Sequence, residues 1–303
     1  MGKHAHEHHH HHHHGATYNK AFFIAIIANG LFVILQLIYA YIAHSTSLLA
    51  DAFHNFGDVL SLVLAWVATG LMKRKPTQRA TYGMKKTSIL AALVNGIVLV
   101  FTCGIIAAEA LSQLIAPTEI QALSVMIVAS VGILVNGTTA LLFLRGTDDL
   151  NIRGAYLHLL YDALISVGVV VSAVIIYYTH WFWLDPVVGL LIAAVILKGT
   201  WSLFADSFRL IIDGVPPSIS LKAVSEFLLE KPGVHAIHDL HIWAMSTQEN
   251  AMSVHLYMPD GYLADEDRAD WVMQLEQQFG IQHSTIQTEK TQMNCNDACH
   301  KLY

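Results

Sequence analysis

Two identical spacings of histidine and aspartate interrupt two apolar stretches of the sequence. His54 is followed four residues later by Asp58 within DAFHNFGD, and His158 is followed by Asp162 within HLLYD. Residues i and i+4 lie on one face of an α-helix, so each pair presents an imidazole and a carboxylate together. Charged groups are rare in such helices, because burying one in a membrane costs roughly 2.5–3.5 kcal/mol or more. One pair is a weak signal, but two on different stretches predict a metal site if those stretches meet.

Charge balance explains why four polar groups would be kept in apolar surroundings. Two carboxylates and two neutral imidazoles carry a net charge of −2, which a divalent cation neutralises, so the filled site is easier to bury than the empty, ionised one. An empty site relieves the same repulsion by taking up protons. Metal and protons therefore compete for the same atoms. A site that exchanges them, opened alternately to each side, is that of a cation/proton antiporter.

The ligand types narrow the choice of cation. Two nitrogen and two oxygen donors suit tetrahedral Zn²⁺, whereas Mg²⁺ and Ca²⁺ favour all-oxygen cages and Cu(I) favours sulfur. Co²⁺, Cd²⁺ and Ni²⁺ remain alternatives, because ligand type only biases the choice among them.

A further carboxylate, Asp51, lies three residues before His54 and close to the same helical face. We expect its carboxylate to orient His54 by accepting a hydrogen bond from the ring nitrogen that does not bind the metal. A carboxylate on the access path and a purely structural cap are the alternatives.

The composition is that of a membrane protein. Of the 303 residues, 54% are hydrophobic and 13% are charged, whereas soluble domains carry about 25% charged residues. The net charge of −6 gives no indication of nucleic-acid binding. Six apolar stretches, each near or above the ~20 residues that a transmembrane helix needs, predict a six-helix transmembrane domain over 18–213. They lie at 18–43, 46–72, 87–115, 120–144, 153–179 and 183–213.

The positive charges indicate the orientation of these helices. The 73–86 loop carries six Lys and Arg residues and the 145–153 loop carries two, whereas the turns at 43–47, 115–121 and 179–185 carry none. By the positive-inside rule this alternation places both termini in the cytoplasm. The short connections favour a bacterial inner membrane over a eukaryotic vesicle.

Soluble segments are predicted at both ends of the chain. Residues 1–17 contain an unbroken histidine run and predict a disordered cytoplasmic tail, either native or a purification tag. Residues 214–303 predict a small α+β domain of order αββαβ, with helices at 219–230 and 265–279 and a last strand at 283–289. Because side chains alternate along a strand, His238 and His241 are expected on opposite faces, which assigns His241 a structural role.

The chain resembles the cation diffusion facilitator family, in its zinc-transporting branch. The resemblance covers nearly the whole chain and depends on six stretches: SLLADAFHNFGD, YGMKKTSILAALVNG, YLHLLYD, DPVVGLLIAAVIL, VHAIHDLHIWAM and HSTIQTE. It implies six transmembrane helices, a cytoplasmic ferredoxin-like domain and a homodimer. It also implies export of Zn²⁺ from the cytoplasm in exchange for protons. Members that prefer manganese carry aspartate at the first position of both pairs, so histidine there implies zinc.

The resemblance also implies site residues. The family's transport site falls on the four residues of the two pairs: His54, Asp58, His158 and Asp162. Metal sites of the cytoplasmic domain fall on residues of its three strands: His238, His255, His283 and Glu289. Related proteins often end in a CxxC-like pair that joins a metal site. Here Cys295 and Cys299 are spaced CxxxC, so the resemblance is weaker at this point. The two cysteines either bind zinc or belong to a free tail.

Several other functions fit parts of the sequence. An exporter of Cd²⁺, Co²⁺ or Ni²⁺ would have the same design. A membrane-tethered metal sensor would use the soluble domain, but it leaves the buried ligands of the two pairs unexplained. An intramembrane metalloenzyme needs an open coordination position and often an HExxH motif, which none of the six apolar stretches contains.

Overall fold

The computed structural model of the chain describes residues 15–143 and 150–291. The first part of the chain forms six long helices. They are α1 (Gly15–Ile42), α2 (Thr46–Met72), α3 (Thr87–Ile115), α4 (Ala122–Phe143), α5 (Leu150–Thr179) and α6 (Leu184–Ile211). The six predicted helices are therefore present, with α1 beginning at Gly15, inside the segment that we predicted as a tail. The rest of that tail, residues 1–14, lies outside the described residues.

The length and composition of these helices suit a bilayer. Among the described residues, five helices (α2 to α6) are long and apolar enough to cross a membrane, and α1 adds a shorter apolar segment over Ile26–Ile42. A helix rises about 1.5 Å per residue, so the 22 residues of α4 already span about 33 Å. Large apolar side chains such as Leu31, Trp66 and Leu134 are exposed on the outer faces, as expected for lipid-facing positions.

The chain divides into two compact units. The first runs to Leu62 and resumes over Leu99–Leu197, and the second comprises Val63–Val98 and the chain from Lys198 onward. The core of the first unit is built from small and β-branched side chains, among them Ala129, Val169 and Ala173. Small residues allow close helix contacts in membranes, where helix packing replaces the hydrophobic effect.

Gly132 of α4 illustrates such a contact. A Cβ atom there would lie 2.9 Å from Phe32 Cζ of α1 and 3.1 Å from Ser166 Oγ of α5. A larger residue would therefore require the side chains of Phe32 in α1 and Ser166 in α5 to shift.

An aspartate from α6 caps the start of α2. The buried carboxylate of Asp185 accepts hydrogen bonds from the hydroxyl of Ser45 (2.7 Å), the amide of Thr46 (2.5 Å) and both the amide (3.1 Å) and hydroxyl (2.5 Å) of Ser47. These amides are among the donors that a helix start leaves unsatisfied, and a negative charge is favourable there. The cap thus attaches the beginning of α6 to the beginning of α2.

The second unit contains the C-terminal domain. Its elements are α7 (Leu221–Leu229), β1 (Ala236–Ala244), β2 (Asn250–Tyr257), α8 (Asp265–Phe279) and β3 (Ile281–Glu289). The sheet order is β1-β2-β3, with β1 and β2 antiparallel and β2 and β3 parallel. The predicted αββαβ order and the fold class are confirmed.

One face of this sheet forms a core and the other carries polar residues. Met252, Val254 and Leu256 of β2 are fully buried together with Leu275 of α8, which packs on the sheet. The alternate residues of β2, among them His255, lie on the opposite, partly exposed face. That face presents the imidazoles and carboxylates considered below.

Candidate metal centres

Three ligands of the predicted membrane site meet in the first unit. His54 Nε2 of α2 lies 3.1 Å from Asp162 Oδ1 of α5 and 3.9 Å from Asp58 Oδ2 of its own helix. One donor atom from each residue lies within 4.8 Å of the others. The two apolar helices therefore bring the His54–Asp58 pair and Asp162 to a common point.

The fourth predicted ligand, His158, lies four residues before Asp162 on α5. Residues at this spacing share a helical face. The side chain of His158 is outside the described residues, so its role stays a prediction.

Burial differs among the three ligands. Asp162 is buried, with 3% of its surface exposed, whereas the side chains of His54 and Asp58 are 18% and 29% exposed. Asp58 and His54 are therefore only partly enclosed by the protein, whereas Asp162 is covered by it. Because the ligands combine one imidazole with two carboxylates, the cluster suits a borderline cation such as Zn²⁺.

A fully buried polar network supports the cluster. Asp51 of α2 accepts hydrogen bonds from Gln36 Nε2 of α1 (2.7 Å) and from Ser166 Oγ of α5 (3.1 Å), and Asn55 Nδ2 donates to Gln36 Oε1 (2.9 Å). Asp51 and Asn55 lie on either side of His54 along α2. The network thus joins α2 and α5 to α1, and the role of Asp51 in orienting His54 stays a prediction.

Sequence reasoning missed Gln36 and Ser166. Gln36 carried a usable signal, because a side-chain amide in the middle of an apolar helix needs a polar partner. Ser166 carried none, since serine is common in such helices and its partner lies 115 residues away along the chain.

A second cluster lies on the open face of the C-terminal sheet. His238 Nε2 lies 3.3 Å from Glu289 Oε2, and His255 Nδ1 lies 3.0 Å from Glu289 Oε1. His238 Nε2 and Glu289 Oε2 are buried and make no hydrogen bond with any described residue. Buried polar atoms nearly always have a partner, and a cation between these ligands would provide one.

His283 does not join this cluster, which corrects the expected ligand set. It pairs with Ala251, whereas His255 pairs with Gln287. His283 is thus four residues from the pairing position of His255, or about 13 Å at 3.3 Å per residue. The last strand was predicted correctly, but its parallel register against β2 places His283 at the end of β3 that lies away from Glu289. Cys295 and Cys299 lie outside the described residues.

The expectation that His241 lies on the opposite face of the sheet from His238 was also wrong. His238 pairs with His255 and His241 pairs with Ser253, so one extra residue of β1 bulges out between them. Paired residues lie on the same face of a sheet, and so do Ser253 and His255. The bulge therefore turns His241 onto the face that carries His238.

Comparison with known proteins agrees with this architecture. Residues 22–212 match the cation efflux transmembrane domain, and residues 216–291 match the cation efflux protein cytoplasmic domain. The chain belongs to the cation efflux family. The stated resemblance to cation diffusion facilitators, a family with zinc-transporting members, is thereby confirmed.

Bacterial relatives extend over almost the whole chain. The cadmium, cobalt and zinc/H(+)-K(+) antiporter of Bacillus velezensis is 32% identical over 286 residues, which are 92% of this chain and 91% of the relative. The metal cation efflux system protein CzcD of Cupriavidus metallidurans is 33% identical over 268 residues, 88% and 85% of the two chains. The zinc transporter ZitB of Escherichia coli is 31% identical over 272 residues, 89% and 86%.

Family membership decides the broad class of function. Cation efflux proteins are membrane transporters, so the prediction of a transporter and not an enzyme is confirmed. The conclusion agrees with the geometry, because the membrane cluster lies between two apolar helices.

Proposed function

We propose that the chain exports Zn²⁺ from the cytoplasm in exchange for protons, with His54, Asp58, His158 and Asp162 as the transport site. The observation that carries the proposal is the convergence of three of these ligands from α2 and α5 inside an apolar helix bundle. Homologues named as zinc, cadmium and cobalt transporters support the cation class.

The chemistry of the site explains the coupling to protons. A zinc ion neutralises the two carboxylates, and its departure leaves their repulsion uncompensated in a region of low dielectric. Protons that bind Asp58, Asp162 or the imidazoles restore neutrality. Zinc and protons thus occupy the site in turn, and alternating exposure converts that exchange into antiport.

The ligand types favour Zn²⁺ as the transported cation, but they do not exclude Cd²⁺, Co²⁺ or Ni²⁺. Two imidazoles and two carboxylates suit tetrahedral Zn²⁺, and Cd²⁺ and Co²⁺ accept the same donors. An exporter of Cd²⁺, Co²⁺ or Ni²⁺ is the second candidate, supported by the names of the Bacillus and Cupriavidus relatives. The Bacillus name also includes K⁺, so a potassium gradient belongs in the test of coupling.

We also propose a resident zinc ion in the C-terminal domain, held by His238, His255 and Glu289. His238 Nε2 and Glu289 Oε2 are buried and face each other at 3.3 Å without a hydrogen bond, which supports this assignment. Bound there, zinc would join β1, β2 and β3, because each strand supplies one ligand. Cys295 and Cys299 stay secondary candidates for metal binding.

The proposed topology places both termini in the cytoplasm of a bacterial cell. The positive charges concentrate in the 73–86 loop, and the matched C-terminal family domain is described as cytoplasmic. The same domain supports a homodimer. The domain boundaries 18–213 and 214–303 follow from this division, with α6 ending at Ile211.

Transport by the purified protein in proteoliposomes tests the function. With an outward-directed proton gradient, we expect zinc to accumulate inside vesicles and protons to leave in the same experiment. Cd²⁺ and Co²⁺ should compete for uptake, and Mg²⁺ should not, because it prefers six oxygen ligands. Zinc uptake that ignores the proton gradient but follows a potassium gradient would contradict proton coupling. Zinc binding with no uptake under any gradient would favour the membrane-tethered sensor.

Asp51 provides a second prediction. Asp51→Ala removes the acceptor that links α1 and α5 to α2, so the position of His54 becomes less defined. Loss of groups that orient metal ligands typically lowers affinity about 10- to 100-fold. We expect the apparent zinc affinity in proteoliposomes to fall within this range, with the maximal rate less affected. Thr69→Ala, which removes a hydrogen bond to the Ala65 carbonyl further along α2, serves as the control. An unchanged affinity in the Asp51 variant would exclude the positioning role.

A further inference from the structure

The bulge in β1 creates a second group of metal-binding side chains. Asp239, one of the two residues between His238 and His241, has a φ of 52°. Aspartate tolerates this left-handed conformation better than most residues, but it remains uncommon outside turns and functional sites. The conformation allows the extra residue to be accommodated, so that His238, His241 and His255 share one face.

Asp239 lies between two imidazoles. Its Oδ1 is 2.9 Å from His241 Nε2, and its Oδ2 is 3.8 Å from His255 Nε2. Around zinc, tetrahedral ligand atoms at about 2.0–2.2 Å from the metal are about 3.3–3.6 Å apart. The two observed separations bracket this value but end on different oxygens of Asp239, so the three side chains must rotate toward one another to bind a common cation.

His255 belongs to both groups of ligands. Its Nδ1 faces Glu289 at 3.0 Å and its Nε2 faces Asp239. A neutral imidazole has one nitrogen with a free lone pair and one that carries a proton. When Nδ1 binds a metal, the Nε2 proton points toward Asp239, and when Nε2 binds a metal, the Nδ1 proton points toward Glu289.

We propose that Asp239, His241 and Nε2 of His255 form an outer position for a divalent transition metal. It shares His255 with the inner position formed by His238, Glu289 and Nδ1 of His255. One neutral imidazole serves one of them at a time, so a single ion occupies either position. This inference builds on the proposed zinc ion of the C-terminal domain.

The exposure of the ligands gives the outer position a role in loading. The side chain of His241 is 59% exposed, whereas those of His238 and Glu289 are 18% and 9% exposed. His241 is therefore more accessible to a cation from solution than His238 or Glu289. Transfer requires the proton of His255 to change nitrogens, after which the ion is held by the more buried set.

Histidine footprinting on the full-length protein tests this arrangement. Diethyl pyrocarbonate modifies free imidazoles, and mass spectrometry locates each modified residue, so the N-terminal histidines do not interfere. In the wild type, we expect zinc to protect His238 and His255 more than His241. In His238→Ala, which weakens the inner position, we expect several-fold protection of His241. Asp239→Asn in that background should abolish this protection, because asparagine keeps the left-handed backbone and removes the charge.

His235 provides an internal control, because its side chain is similarly exposed at 52%. Its modification should not change with zinc in any variant. The outer position is excluded if His241 of the His238→Ala protein stays reactive at saturating zinc, or if Asp239→Asn leaves its protection intact. Unprotected His238 in the wild type would instead contradict the inner zinc ion, so the two proposals fail separately.

Discussion

Replacing Asp162 by asparagine is expected to abolish zinc transport. Asp162 is the most buried ligand of the membrane cluster and faces His54 across the interface of α2 and α5. The substitution removes one negative charge, so a bound divalent ion would leave a net positive site in the apolar bundle. Because a ligand itself is lost, we expect transport to fall by more than the roughly 100-fold upper range for groups that only orient ligands.

The assay is proton-driven zinc uptake by proteoliposomes with matched protein content. Asparagine has nearly the shape of aspartate, so helix packing should persist, and an unchanged gel-filtration profile would verify this. Glu109→Gln is the control, since it neutralises an exposed carboxylate of α3 that accepts a hydrogen bond from Gln113. Wild-type uptake by the Asp162 variant would remove this residue from the transport site.

Replacing Asp185 by alanine is expected to destabilise the helix bundle. Its carboxylate accepts four hydrogen bonds from Ser45, Thr46 and Ser47 at the start of α2, and it is 1% exposed. Alanine would leave two buried main-chain amides without an acceptor. Each buried unsatisfied donor costs about 1–3 kcal/mol, so the loss of stability from the two amides should be about 2–6 kcal/mol.

The temperature of unfolding in detergent measures this effect. Asp185→Asn is the matched variant, because its amide oxygen can accept from the two backbone amides while the serine hydroxyls rotate to accept from its NH₂ group. We therefore expect the asparagine variant to unfold between the alanine variant and the wild type. Equal unfolding temperatures for all three proteins would show that the cap does not stabilise α2.

These two substitutions distinguish loss of metal transport from loss of fold stability. Asp162 and Asp185 are both buried aspartates in apolar helices, but only Asp162 faces an imidazole on the neighbouring helix. Asp162→Asn should leave stability unchanged and remove transport. Asp185→Ala should lower stability and affect transport mainly through the amount of folded protein.

Sequence patterns determined most of the helical architecture. Apolar stretches of sufficient length identified all six helices, and the predicted bounds of α2 and α3 agree with the structure to the residue. These features are local, because helix formation and hydrophobic periodicity depend on residues within a few turns. The same locality made the His54–Asp58 spacing informative, since a ligand pair on one helix face is visible without knowing its partner.

The soluble domain shows where local patterns stop being informative. The order of its elements followed from composition and alternation. The sheet face on which His241 lies could not be predicted in this way. One bulged residue at Asp239 reverses the alternation of side chains on which that prediction depended. The position of His283 depended on the register of β3 against β2, which is set by packing of the sheet on α7 and α8.

The sequence by itself determined which residues lie in membrane helices and which pairs of ligands share a face. Only the tertiary structure decided that α2 and α5 meet at those faces and that Gln36 and Ser166 bind Asp51. It alone decided that Asp185 caps a helix nearly 140 residues away. The physical reason is that such contacts join side chains distant in the chain, so their energies depend on how complete helices and strands pack.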